Sequence, residues 1–134
     1  MIVLSHGRRP ETAPLSVRVD RSDSDAPVIR VGGDLAYLTA TPLRAEVDRV
    51  LQTGPASLVL DFAELTFIDS TGLGVIVHAW REGQREGVLL RLRSVPRFLT
   101  AILDMTGVTG LLARMVGAER SVATEPDDQP TATA

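Results

Sequence analysis

The chain has 134 residues, 44% apolar and 23% charged, with a net charge of −3, which is the composition of one globular domain. It contains no Cys, so disulfide scaffolds, thiolate catalysis and Cys-based zinc sites are excluded. All 14 basic residues are Arg and they are interspersed with acids, a pattern that argues against a nucleic-acid partner.

In chain order, Met1–Pro14 mixes charge, Gly and Pro without a period and reads as a flexible tail. Residues 15–118 hold the folded domain. Leu15-Ser16-Val17-Arg18-Val19-Asp20 alternates strictly, as a half-buried strand does. Arg21–Pro27 is a turn segment, and Val28-Ile29-Arg30-Val31 is a second strand ended by Gly32-Gly33, the two making an antiparallel hairpin. Thr41-Pro42 opens a first helix, with Thr as cap and Pro at the first helical position. Its apolar face is Leu43, Val47, Val50 and Leu51, and Gly54-Pro55 closes it.

Ser57–Asp61 carries three consecutive apolar residues and reads as a central strand covered on both faces, with Phe62–Asp69 as the loop that follows. A second helix starts near Ser70, with Leu73, Ile76, Val77 and Trp80 at helical spacing and Gly87 as its stop. Val88–Arg93 is a further strand. Pro96 starts a third helix with the i,i+4 pairs Phe98/Ile102 and Leu99/Leu103, and Gly107 ends it. Leu111–Met115 reads as a short last strand. Residues 119–134, polar and small at the end, read as a second flexible tail. The order ββαβαβα(β) predicts an α/β fold: a mixed, mostly parallel sheet of about four or five strands with three or four helices and an N-terminal antiparallel hairpin.

No uncharged run exceeds 11 residues, against about 20 for a spanning helix. The apolar run after Met1 is too short for a signal-peptide core. A cytoplasmic protein without a membrane partner is the expectation.

The stretch that carries chemistry is Asp69-Ser70-Thr71-Gly72-Leu73-Gly74, where two hydroxyls sit at a helix N-terminus beside a carboxylate and two Gly. The first helical turn leaves backbone N–H groups unpaired, and either Asp69 or Ser70 can accept from them. Taken alone, this favours a plain cap, with Gly72 and Gly74 permitting close helix–sheet packing. A phosphate on Ser70 would be partly tolerated by the helix dipole. It would add about −1.5 to −2 charges next to Asp69, enough to repel a packed partner.

The run Asp61-Phe62, then Leu65-Thr66-Phe67-Ile68-Asp69-Ser70-Thr71-Gly72-Leu73-Gly74, strongly resembles the STAS domain of bacterial anti-sigma factor antagonists. Asp104-Met105-Thr106-Gly107-Val108 and Gly33-Asp34-Leu35 resemble two further, weaker family elements. The resemblance implies a STAS fold over residues 15–116, with Ser70 as the phosphorylated residue (Thr71 the less favoured neighbour). It implies a partner surface drawn from Asp34, Asp69, Ser70, Thr71, Gly72, Leu73 and Gly74. It further implies a cycle in which the unmodified domain binds an anti-sigma factor that is also a serine kinase, freeing a sigma factor. Phosphorylation releases the domain and a serine phosphatase restores it. In this cycle the domain performs no catalysis and needs no cofactor or metal. The alternative within the fold is an accessory subunit of a lipid-transport ABC system or a stress-signalling assembly. One position departs from the family pattern, which places an acid where this chain has Ala36. Gly117–Thr124 is poor helix material, so a C-terminal helix is expected to be short or missing.

Other candidates read as structure. His78 lies eight residues after Ser70, about 12 Å of helix rise away. No Gly-x-Ser-x-Gly elbow exists, so a serine hydrolase is disfavoured. Asp20, Asp23 and Asp25 are solvated turn acids, since the calcium-loop spacing is absent. Trp80 reads as core, and Arg81, Glu82, Arg85 and Glu86 as a solvated helix end or a polar face beside Ser70.

Overall fold

The computed structural model describes residues 13–108 and 110, together with the backbone of residues 3–5. Its elements are β1 (Val3–Ser5), β2 (Ser16–Asp20), β3 (Val28–Leu35), α1 (Ala40–Leu51), β4 (Ser57–Asp69), α2 (Ser70–Glu86), β5 (Leu89–Arg93) and α3 (Arg97–Met105). The five strands form one mixed sheet in the order β1-β4-β3-β2, with β5 also on β4. The β3–β4 and β4–β5 pairs are parallel, and the β2–β3 and β1–β4 pairs are antiparallel. The mixed α/β sheet with its β2–β3 hairpin is the architecture expected from the alternation of strand and helix signals.

The sheet has two unlike faces, because successive residues of a strand point to opposite sides. Ile29, Val31, Leu58, Leu60, Phe62, Leu90 and Leu92 join the buried residues of the three helices in one hydrophobic cluster. The Leu58-Val59-Leu60 run is therefore not sandwiched between helices. Val59 is buried outside that cluster, on the face where Asp61 meets Arg93 and Arg30.

Several boundaries differ from the sequence expectation, each for a reason of pairing. Gly32-Gly33 does not end β3, which continues to Leu35. Gly33 takes φ +82°, and the register against β4 shifts between Gly33 and Asp34, so the double Gly makes an irregularity within the strand. Phe62–Asp69 is not a loop but the second half of a 13-residue β4. Beyond Asp61 the buried apolar residues fall at Phe62, Leu65 and Ile68, a spacing of three that hides the strand from an alternation test.

The first tail is also not structureless throughout. Val3–Ser5 pairs with Phe67–Asp69, taking the edge of β4 that β5, matched to Ser57–Asp61, leaves open. Finally, α1 begins at Ala40, with Thr39 at the cap position, so Pro42 falls third in the helix, where a missing N–H still breaks no ladder bond. The Leu111–Met115 strand, the Gly117–Thr124 segment and the tail at 119–134 lie outside the described residues.

Candidate functional site

The C-terminal ends of β3 and β4 lie side by side, with Asp34 in register with Phe67 and Leu35 with Ile68. The chain leaves β3 into a short loop before α1 and passes from β4 directly into α2. Two carboxylates are buried at this end, Asp34 and Asp69, each 2% exposed.

Asp69 is the N-cap of α2. Its Oδ1 accepts from the backbone N–H of Thr71 at 2.8 Å and of Gly72 at 3.1 Å. The sequence left Asp69 and Ser70 open as the cap, and the extended backbone of Asp69 (φ −122°, ψ −171°) gives it the role. Its second oxygen, Oδ2, accepts from the backbone N–H of Tyr37 at 3.1 Å, across 32 residues of chain. One side chain thus joins the start of α2 to the loop before α1. Both oxygens of Asp69 are thus engaged as acceptors of backbone N–H groups.

Asp34 fastens the other side of the same end. Its Oδ1 accepts from the Thr66 hydroxyl at 3.1 Å, and its Oδ2 from the N–H of Ala13 at 2.8 Å. The Thr39 hydroxyl donates to the Asp34 carbonyl at 2.6 Å and accepts from the N–H of Ala36 at 2.9 Å. The loop between β3 and α1 is therefore pinned at Ala36 and Thr39 by one hydroxyl and at Tyr37 by Asp69. Thr39, Thr66 and Tyr37 were not singled out from sequence, because their role depends on chain segments far apart.

Of the predicted partner-facing residues, Ser70 and Gly74 are exposed and Thr71 is half-buried. They stand on the first turns of α2, with Ser70 and Gly74 four residues apart on one face. Asp34, Asp69, Gly72 and Leu73 are buried and act as supports. A Cβ on Gly72 would lie 2.5 Å from the Leu35 carbonyl oxygen and 2.6 Å from Ile68 Cγ1, so only Gly lets α2 seat against β3 and β4 there. A Cβ on Gly74 would meet nothing within 4 Å. Beside this face the loop presents two large apolar side chains to solvent, Tyr37 at 69% and Leu38 at 87% exposure.

The remaining candidates fall elsewhere. His78 Nε2 lies 2.7 Å from Asp48 Oδ1 and ties α2 to α1. Arg85 pairs with Glu82 on the exposed end of α2. Asp20 accepts from both the hydroxyl and the N–H of Ser22, and these bonds, with the nearby Arg30 and Arg93 charges, hold its pKa below the ordinary carboxylate value. A pocket of about 320 Å³, lined in part by Arg21, Asp25, Thr53 and Pro55, lies by the N-terminal end of β4, the far end of the strand from Asp69. Among the described residues no group of three His, Cys, Asp or Glu is placed to hold a metal ion, and no helix is long and apolar enough to cross a membrane.

A mixed sheet with its helices on one face, and an exposed Ser on the capped first turn of α2, define an α/β domain with a hydroxyl presented at a helix start. The family description "Mlab, STAS domain" matches residues 18–116, and the chain belongs to the STAS domain family. An anti-sigma-B factor antagonist of Bacillus subtilis (strain 168) is 26% identical over 98 residues, 73% of this chain and 88% of the relative. Among solved structures, an anti-sigma factor antagonist from Mycobacterium paratuberculosis superimposes with a TM-score of 0.63 at 23% identity, covering 75% of this chain and 86% of that one. The Bacillus cell fate determinant SpoIIAA in its phosphorylated form gives a TM-score of 0.57 at 21% identity, covering 69% and 85%.

Proposed function

We propose that this protein is an anti-sigma factor antagonist: in its unmodified form it binds an anti-sigma factor with serine kinase activity and so frees a sigma factor, and phosphorylation of Ser70 releases it. Its setting is the cytoplasm, its second partner is a serine phosphatase, and it serves as substrate and binding module without catalysis of its own. The observation that carries this reading is the exposed Ser70 hydroxyl at the first position of α2, one residue from a buried carboxylate. A phosphate there adds about −1.5 to −2 charges to a surface that otherwise offers Gly74, Tyr37 and Leu38 for contact. The curated relatives, named as anti-sigma factor antagonists, support the same reading.

The test uses the serine-kinase anti-sigma factors of the same cell, expressed and purified one by one. One of them should bind the unmodified protein, transfer one phosphate to it, and lose affinity at least tenfold on doing so. Peptide mapping should place the phosphate on Ser70, and Ser70→Ala should stay bound in the presence of ATP. If none binds, and the protein instead copurifies stoichiometrically with a transporter ATPase, the accessory-subunit alternative replaces this reading.

A further inference from the structure

We infer that Asp69 is a latch that couples the state of Ser70 to the Tyr37–Leu38 loop, so that phosphorylation loosens a contact surface as well as charging it. The inference rests on the reading of Ser70 as the modified residue.

The geometry is asymmetric. Oδ1 of Asp69 is held by two backbone donors, Thr71 at 2.8 Å and Gly72 at 3.1 Å, both within the first turn of α2. Oδ2 is held at the loop by the Tyr37 N–H at 3.1 Å. These three donors are neutral amides, so they solvate the carboxylate without cancelling its charge. A phosphate on the adjacent residue repels that charge, and it also offers oxygens of its own to the amides at the helix start. The carboxylate yields where it is held least, which is the single bond to Tyr37.

The loop then keeps the Thr39 hydroxyl, which fixes Ala36 and the carbonyl of Asp34 ahead of Tyr37, and the turn bonds from the Thr39 and Ala40 N–H groups to the Ala36 carbonyl, while the bond that ties Tyr37 itself to the start of α2 is gone. Among the described residues, Tyr37 and Leu38 are large apolar side chains that this loop presents to solvent. Rigid apolar anchors contribute to binding chiefly when they are held in place before the partner arrives. Releasing them lowers affinity even for a partner that never touches the phosphate.

The test compares unmodified protein with protein carrying phosphoserine at position 70, installed during translation, by amide hydrogen exchange and ¹⁵N–¹H shifts. The Tyr37 amide should lose protection at least tenfold, with Val31 and Leu60 unchanged. Asp69→Asn should reproduce the Tyr37 loss without any phosphate. Its carbonyl oxygen still caps Thr71 and Gly72, while its NH₂ faces the Tyr37 donor and accepts nothing from it. Tyr37 protection within twofold of the unmodified protein after phosphorylation overturns the latch, and this arm does not depend on the folding of a variant. Binding to the purified kinase is measured on the same samples. Tyr37 loss with undiminished binding keeps the latch and sinks the partner reading; lost binding with Tyr37 unchanged does the reverse.

Discussion

Two aspartates on β4 show how one residue type serves two purposes. Asp61, on the sheet face away from the helices, has Oδ2 at 3.2 Å and 3.3 Å from Arg93 nitrogens and 4.0 Å from Arg30, which itself reaches Asp20 at 3.6 Å. Its charge is neutralised where it stands, and the cluster ties β2, β3, β4 and β5 together. Asp69, eight residues on, is held by backbone amides of α2 and of the Tyr37 loop. Its charge persists, beside the one exposed hydroxyl that begins the helix. A neutralised carboxylate is a fastener. A carboxylate solvated by neutral dipoles stays responsive to a second negative charge placed next to it.

The comparison breaks first at the seat of α2. Gly72→Ala should destabilise the protein by about 3 kcal/mol in urea melts, since the new methyl meets the Leu35 carbonyl and Ile68 at contacts that force a backbone shift. Asp69→Ala should follow at about 2 kcal/mol, the upper range for a lost N-cap, with little dependence on salt because its partners are amides. It should also abolish partner binding. Asp61→Ala should lose about 1 kcal/mol, an effect that shrinks as salt is raised from low to 0.5 M, and should leave partner binding intact.

Gly74→Ala reverses the sign. With nothing near its added methyl, the helix should gain about 0.5–1 kcal/mol, yet affinity for the kinase partner should fall, because the methyl stands on the face shared with Ser70. An Ala that stabilises the fold without touching affinity would remove Gly74 from the interface. The smallest effect belongs to Asp20. Its pKa is lowered in the folded protein chiefly by the Ser22 hydroxyl, so its contribution is present above about pH 3.8 and lost as pH falls through the lowered value. Asp20→Asn should flatten the acid limb of the pH–stability curve slightly, by an amount seen only in careful titrations.

Much of this was legible along the chain where the signal is local. Asp69-Ser70-Thr71-Gly72 reads as a helix start because capping needs only a side-chain acceptor next to the first turn, and α2 begins there. Gly87 and Gly107, both at positive φ, follow α2 and α3 as their stop signals indicated. Local signals fail where one strand borrows its regularity from another. Gly32-Gly33 and Phe62–Asp69 look like breaks because alternation fails, but β3 and β4 pair through both stretches with shifted register. Val3–Ser5 looks like tail because three residues have no period, and it is a strand by virtue of the β4 edge it covers.

The candidate site divides in the same way. Ser70, Asp69 and Gly72 belong to one contiguous motif and are legible in it. Tyr37, Thr39 and Thr66 came only from the fold. A hydrogen bond between residues 32 apart, such as Tyr37 to Asp69 or Thr66 to Asp34, leaves no trace in local spacing.

The sequence by itself determined the alternation of strands and helices, the apolar stripes that build one core, and the place of a hydroxyl at a capped helix start. These depend on periodicity and on groups within a turn of one another. The tertiary structure alone decided that the cap reaches across to a second loop, that Asp34 and three residues of the motif are buried supports, and that two unmarked side chains, Tyr37 and Leu38, stand in solvent beside Ser70. Which donors meet a buried carboxylate, and which apolar residues are left uncovered, is settled when distant strands come into register.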